Sequence, residues 1–278
     1  MKQLFLLMSI VFSINLLAYT DSDFDGVEDS LDICPNTPFT ELVDMKGCAI
    51  KSLVSPHHFD VVVGASYSDS DYQTLNKTDT LASSLQVDYY YKNFSLQAST
   101  SYFTTEGDSY SDNGLYDSFV GASYQFKPSD SLSLRVGIGA ILPTYDTSLN
   151  NNNTDYSASL NISYNVDDIS IFAGYSYTMI NDDNVAVVDL NGTSTDIIYQ
   201  DSGAYSAGLG YYFTDKLYLS GSYNVSNSIY VGVEDIETAS IYGYYSIDEN
   251  WFTNFSYAKG LSDTASKNYA SVRLGYFF

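Results

Sequence analysis

The sequence predicts an all-β chain whose main body is an antiparallel transmembrane β-barrel of about twelve strands, with a small separate module before it. Three observations predict this. No internal stretch approaches the roughly eighteen continuous apolar residues that a membrane helix requires. Apolar residues instead alternate with Ser, Asn and Gly in runs of about ten, the period of a strand with two different faces. Aromatic residues, with 28 Tyr and 15 Phe among 278 residues, gather at the ends of those runs.

Residues 1–20 read as a secretory signal. Lys2 supplies the positive start, Leu4 to Ala18 the apolar stretch, and Ala18 a small residue before the cleavage point. An uncleaved anchor helix is the alternative, but the run is short and polar residues follow at once. Cys34 and Cys48 are an even pair at short spacing, which in an exported chain points to one bridge.

The segment 21–48 carries the second element. Counting Asp21 as position one, carboxylates fall at one (Asp21), three (Asp23), five (Asp25), nine (Asp29) and twelve (Asp32), with Gly26 at six. A hard divalent cation wants six to eight oxygens, and alternate residues of a tight loop can all point inward. Gly26 permits the turn and the Val27 carbonyl supplies a backbone ligand. Asp32 stands where Glu is usual and, one methylene shorter, holds an ion less completely. With the following Cys34-Pro35-Asn36-Thr37-Pro38 and Val43-Asp44-Met45-Lys46-Gly47-Cys48, the segment resembles a thrombospondin type-3 repeat. It is closest to the form found as a periplasmic linker in OmpA-family proteins. The resemblance implies Ca2+ bound by Asp21, Asp23, Asp25, Val27, Asp29 and Asp32, and a Cys34–Cys48 disulfide closing the module. The peptidoglycan-binding domain of that family has no counterpart here.

After a linker at 49–58, the barrel is expected over 59–278. Strands are expected at 59–69, 80–91, 94–105, 115–126, 131–142, 155–166, 169–180, 202–213, 217–227, 237–247, 251–260 and 267–278. Each spans the nine to eleven residues that a tilted strand needs, and the number is even. Short turns such as Lys92-Asn93 and Asp167-Asp168 exchange with long connections such as 106–114, 146–154 and 181–201. Outer-membrane barrels place short turns in the periplasm, which puts the chain ends and the module there. Tyr89, Phe94, Tyr164, Tyr211, Trp251 and Tyr276 form one outward girdle near the short turns. Tyr67, Tyr102, Tyr156, Tyr177, Tyr205, Tyr223 and Tyr257 form another near the long loops. The ending Tyr276-Phe277-Phe278 resembles the C-terminal aromatic signal of such barrels. A soluble β-sandwich would also alternate, but it explains neither the two girdles nor the exchange of turn lengths.

A net charge of −23 with 11 Lys+Arg argues against nucleic acid or anionic headgroups as direct partners. The expected partners are outer-membrane lipid, calcium, and small hydrophilic solutes or cations. The inward phase carries small polar residues such as Ser95, Gln97, Ser123, Asn161, Ser222 and Ser240. It also carries bulk at Phe119, Phe172, Tyr218 and Tyr242, and the charges Arg135, Arg273, Asp60, Asp88 and Asp117. These charges either pair across the interior or form a constriction governing passage. Enzyme function is not expected: the only histidines are His57 and His58, away from the outer rim where a barrel hydrolase needs a base. Two readings stay open. One is a small-solute or ion channel biased toward cations by acidic outer loops. The other is a closed-barrel adhesion or envelope-structural protein, with the 181–201 connection as a plug.

Overall fold

The computed structural model describes residues 27, 29–34, 46, 48, 56–70, 77–108, 111–146, 152–188 and 194–278. The expected signal segment and Asp21, Asp23 and Asp25 lie outside the described residues. The chain divides into two units, Met1–Ser55 and Pro56–Phe278. In the first, Cys34 and Cys48 form a disulfide with a Cα–Cα distance of 5.0 Å. Ile33 N–H donates to the Lys46 carbonyl at 2.9 Å, so the segments bearing the two cysteines are also joined by backbone.

The second unit is built from strands, with no helix among its described residues. In chain order these are β1 (His57–Ser70), β2 (Thr78–Tyr91), β3 (Phe94–Gly107), β4 (Ser111–Leu115), β5 (Ser118–Phe126), β6 (Leu132–Leu142), β7 (Asp155–Val166) and β8 (Ile169–Met179). There follow β9 (Val185–Val188), β10 (Ser194–Ile197), β11 (Ser202–Thr214), β12 (Leu217–Ser226), β13 (Ile236–Ser246), β14 (Trp251–Gly260) and β15 (Asn268–Phe277). Each wall strand pairs antiparallel with its neighbour, and β15 returns to pair with β1, so the sheet closes. With β4 and β5 sharing one place in the wall and the β9–β10 hairpin standing apart, the barrel has twelve strands. Closure leaves no edge strand with unpaired backbone groups, the condition for a sheet in hydrocarbon.

The short turns need backbone that few residues adopt. Lys92 (φ 54°) and Asp167 (φ 50°) take the left-handed conformation in the β2–β3 and β7–β8 turns, as hairpins with primed turns require. The strand starts at His57 and not at 59, because His57 and His58 pair with Tyr91 and Tyr90. The linker is shorter by that much.

The span expected as one strand at 115–126 is broken. Tyr102 pairs with Leu115 and Ser99 with Phe119, so three residues oppose two and a one-residue bulge falls at Tyr116–Ser118. An unbroken strand would set Leu115 and Phe119 on one face; the bulge sets Leu115 outward and Phe119 inward. Alternation therefore does not govern Asp117. Its carboxylate is taken by the Tyr145 N–H (2.9 Å) and the Asn152 side-chain amide (2.8 Å) at the long-loop end.

The solvent pattern is inverted relative to a soluble protein. Outward Ile138 is 70 % exposed, and Leu209 and Val272 are 61 % exposed, while the buried apolar residues among those described are Val62, Ala82, Phe103 and Ala265. A continuous apolar belt of this kind is a lipid-facing surface. A Lys or Arg placed at its middle would cost about 2–4 kcal/mol, which accounts for the turning of Arg135 and Arg273 to the inside.

Candidate functional site: the barrel lumen

The inward face is walled by small hydroxyls that meet across neighbouring strands. Ser95 and Ser123 approach to 2.6 Å, and Thr80 with Thr105, Ser222 with Ser240, and Ser256 with Ser271 each to 2.8 Å. Such cross-strand pairs contribute about 0.2–1 kcal/mol each and keep their polar atoms off lipid.

Bulk on this face is laid flat. The Phe119 ring covers Gly121 and Gly139; a Cβ at those positions would stand 2.6 and 2.3 Å from ring carbons. Phe172 lies over Gly208 and Phe252 over Gly275 in the same way. A glycine on the adjacent strand is what lets each ring follow the wall.

The charges segregate to two sides. On β15, β1 and β2, Arg273 donates from Nη2 to Gln86 Oε1 at 2.5 Å, and Gln86 donates from Nε2 to Asp88 Oδ2 at 2.6 Å. Gly64 makes the crossing possible, since a Cβ there would lie 2.6 Å from Arg273 Cγ. Asp60 stands opposite Asp88 in the β1–β2 register, beside the Tyr90 hydroxyl. Its Oδ1 and the Arg273 Nε are buried without a protein partner among the described residues. On β6, Arg135 is exposed into the lumen and makes no hydrogen bond or ion pair among the described residues. The structure therefore brings together Asp60, Asp88 and Arg273, sets Arg135 across from them, and places Asp117 nearer the long loops, where it lines the upper part of the lumen. Gln86 and Tyr90 belong to this group and were not singled out in the sequence. Their even spacing from Asp88 was the available signal.

Among the recesses of the lumen, two adjoin along β2: the one toward the long loops holds about 460 Å³ and the deeper one about 320 Å³, and Gln86 lines both. Neither is lined by a described residue of the 181–201 connection. The returning arm of that connection is instead tied to its neighbour loop, where Gln200 N–H donates to the Ile229 carbonyl and Val231 N–H to the Ile198 carbonyl.

At the long-loop end, five outward tyrosines donate to acceptors on the next strand or its loop. Tyr67 bonds Asp79 (2.8 Å), Tyr102 bonds Asn113 (2.8 Å), Tyr223 bonds Glu237 (2.6 Å), Tyr257 bonds Asn268 (2.8 Å), and Tyr177 bonds Asp201. Asp201 also accepts the Ile180 N–H at 3.0 Å, and these two donors hold its carboxyl below the usual aspartate range. At the other end His57 Nδ1 meets the Tyr89 hydroxyl at 2.6 Å and His58 stacks on Phe277.

A closed antiparallel barrel with an apolar belt, two aromatic girdles and a polar interior defines a transmembrane barrel of the outer-membrane type. The chain belongs to the protein family described as "Putative MetA-pathway of phenol degradation", whose profile matches residues 49–277. An outer membrane channel from Pseudomonas putida F1 is similar in structure, with a TM-score of 0.66 at 8 % identity over 80 % of this chain and 95 % of that one. The NanC porin aligns with a TM-score of 0.48 at 14 % identity, over 77 % of this chain and 97 % of that one. The translocator domain of the autotransporter NalP from Neisseria meningitidis gives 0.48 at 12 % identity, over 82 % and 90 %. No curated protein matches the chain in sequence.

Proposed function

We propose that the protein is a passive channel for small hydrophilic solutes and cations across the bacterial outer membrane, with its long loops outside and its chain ends in the periplasm. The lumen carries this reading. Twelve strands enclose more space than the eight whose side chains fill a barrel. Here the wall is hydroxyls and glycine-seated rings, and an arginine stays exposed inside it. The family description names a phenol-degradation pathway; a channel would serve such a pathway by admitting solute. Refolded protein in a planar bilayer should give stepwise conductance in simple salt. Silent bilayers with a correctly folded barrel would replace this reading with that of a closed adhesion or structural anchor.

We further propose that the N-terminal unit binds calcium through Asp21, Asp23, Asp25, Val27, Asp29 and Asp32. Among the ligands that are described, Asp32 gives Oδ1 to the Cys34 N–H at 2.8 Å, which leaves Oδ2 as its coordinating oxygen. The ion would supply cross-linking of the loop and no chemistry in the lumen.

A further inference from the structure

The deeper lumenal recess has opposite charges at its two edges and a flat apolar floor between them. Asp88 on β2 is 7 % exposed, and its contact with Arg273 runs through the Gln86 amide and not through a direct ion pair. Arg135 on β6 is exposed and without a bonded partner among the described residues, although its charge acts through space on Asp88 and Tyr90. Between these strands the register runs Asp88 to Gln97 to Gly121 to Gly139. The Phe119 ring lies over the two glycines and forms the floor, and the Ser95–Ser123 hydroxyl pair borders it. The strands of Asp88 and Arg135 stand three steps apart, roughly 14 Å at about 4.8 Å per strand, and Arg135 lies four residues along β6 from Gly139, the residue level with Asp88. The long Arg135 side chain closes part of that span, and the two charges form no direct ion pair among the described residues.

We propose that this recess binds small zwitterions bearing a flat apolar side group, of the amino-acid kind. The carboxylate would take the Arg135 guanidinium, the ammonium would take Asp88, and the side group would lie on Phe119. An ammonium and a carboxylate a few ångströms apart add two charge-assisted hydrogen bonds, each about 2.8 Å, and so bridge a gap that neither charge spans alone. A simple anion would leave Asp88 facing it, and a simple cation would leave Arg135 facing it; both meet a like charge that the zwitterion does not. The 320 Å³ of the recess suits a molecule of this size. The inference rests on the channel reading for its physiological sense but not for its test.

The probes are L-phenylalanine, 3-phenylpropionate, 2-phenylethylamine and glycine, each used to block single-channel current through the full-length protein. L-phenylalanine should block at about tenfold lower concentration than either singly charged analogue, the effect of one charge-assisted hydrogen bond. Glycine, which has no ring for Phe119, should also be weaker. Arg135→Ser should remove the advantage over the amine, Asp88→Asn the advantage over the acid, and Arg135→Lys should keep most of both. Folding of each variant is checked by heat-modifiable gel mobility. Equal potency of the four probes, or blockade indifferent to both charge-removing variants, would overturn the site. The same probes are also measured by saturation-transfer NMR on detergent-folded protein. Binding of the zwitterion with silent bilayers would keep the site and overturn the channel. Absence of binding would overturn the site whatever the conductance.

Discussion

Asp32 stands at the twelfth position of the acidic segment and accepts the amide of Cys34, half of the disulfide to Cys48. The bridge therefore restrains the last of the proposed calcium ligands through a bond two residues long. A short carboxylate with one oxygen already engaged makes a weak ligand, so affinity should fall at about 10⁻⁴ to 10⁻³ M, as in extracellular calcium modules. Isothermal titration of the full-length chain should give calcium heat in that range. The heat should vanish in Asp21→Ala/Asp25→Ala and weaken several-fold in Cys34→Ser/Cys48→Ser, where Asp32 loses its restraint. No calcium heat in the wild type would end the calcium proposal. The carboxylate spacing on which the proposal rests is read from the sequence because it repeats at fixed offsets. The amide bond to Cys34 could not, because it depends on the local backbone path.

Among the elements, the ring-over-glycine contacts decide how much of the interior stays open. At Gly139 a methyl group would fall 2.3 Å from the Phe119 ring, far inside contact, so Gly139→Ala must lift that ring off the wall. Where the ring cannot lift, overpacking costs about 1–3 kcal/mol. Single-channel conductance should therefore drop in Gly139→Ala, recover in Gly139→Ala/Phe119→Ala, and rise in Phe119→Ala alone. Unchanged conductance in all three would show that this ring does not bound the pore. Such contacts were not legible in the sequence, because they join residues on adjacent strands and depend on register. The strands themselves were legible, since period-two alternation persists through nearly every wall element. It breaks at Tyr116–Ser118, where one extra residue reverses the phase without leaving a mark on composition, so alternation does not fix the place of Asp117, which lines the recess toward the long loops. Arg135, Arg273, Asp60 and Asp88 are singled out by phase. Gln86 was passed over because an amide carries no charge to draw notice, although it joins Arg273 to Asp88.

For the molecule as a whole, the distribution of charge matters more than its sum. Carboxylates crowd the long-loop end, and many are held as acceptors: Asp79 by Tyr67, Asp155 by the Asn181 N–H (2.7 Å), Asp182 by the Asn153 N–H (2.8 Å) and Asp201 by Tyr177 and Ile180. Lys92, Lys127 and Lys216 fall at short turns on the opposite end. An acidic mouth raises the local cation concentration and lowers that of anions, so current should be carried mainly by cations. The field reaches about 10 Å at 0.1 M salt and about 3 Å at 1 M, so the preference should shrink as ionic strength rises. Its pH dependence follows from the same hydrogen bonds. Asp201, whose folded pKa lies below the usual value, keeps its charge as pH falls through the ordinary aspartate range near 3.9, so its share of the preference should persist until more acidic pH. Arg135 opposes the mouth from inside the lumen, and Arg135→Ser should strengthen the cation preference. Reversal potentials across a potassium chloride gradient, taken at low and high salt and from pH 7 to pH 3, measure all of this. Anion preference in the wild type, abolished by Arg135→Ser, would show that the arginine and not the mouth governs selectivity. A preference that ignored ionic strength would place the selecting charges in the buried lumen, out of reach of screening.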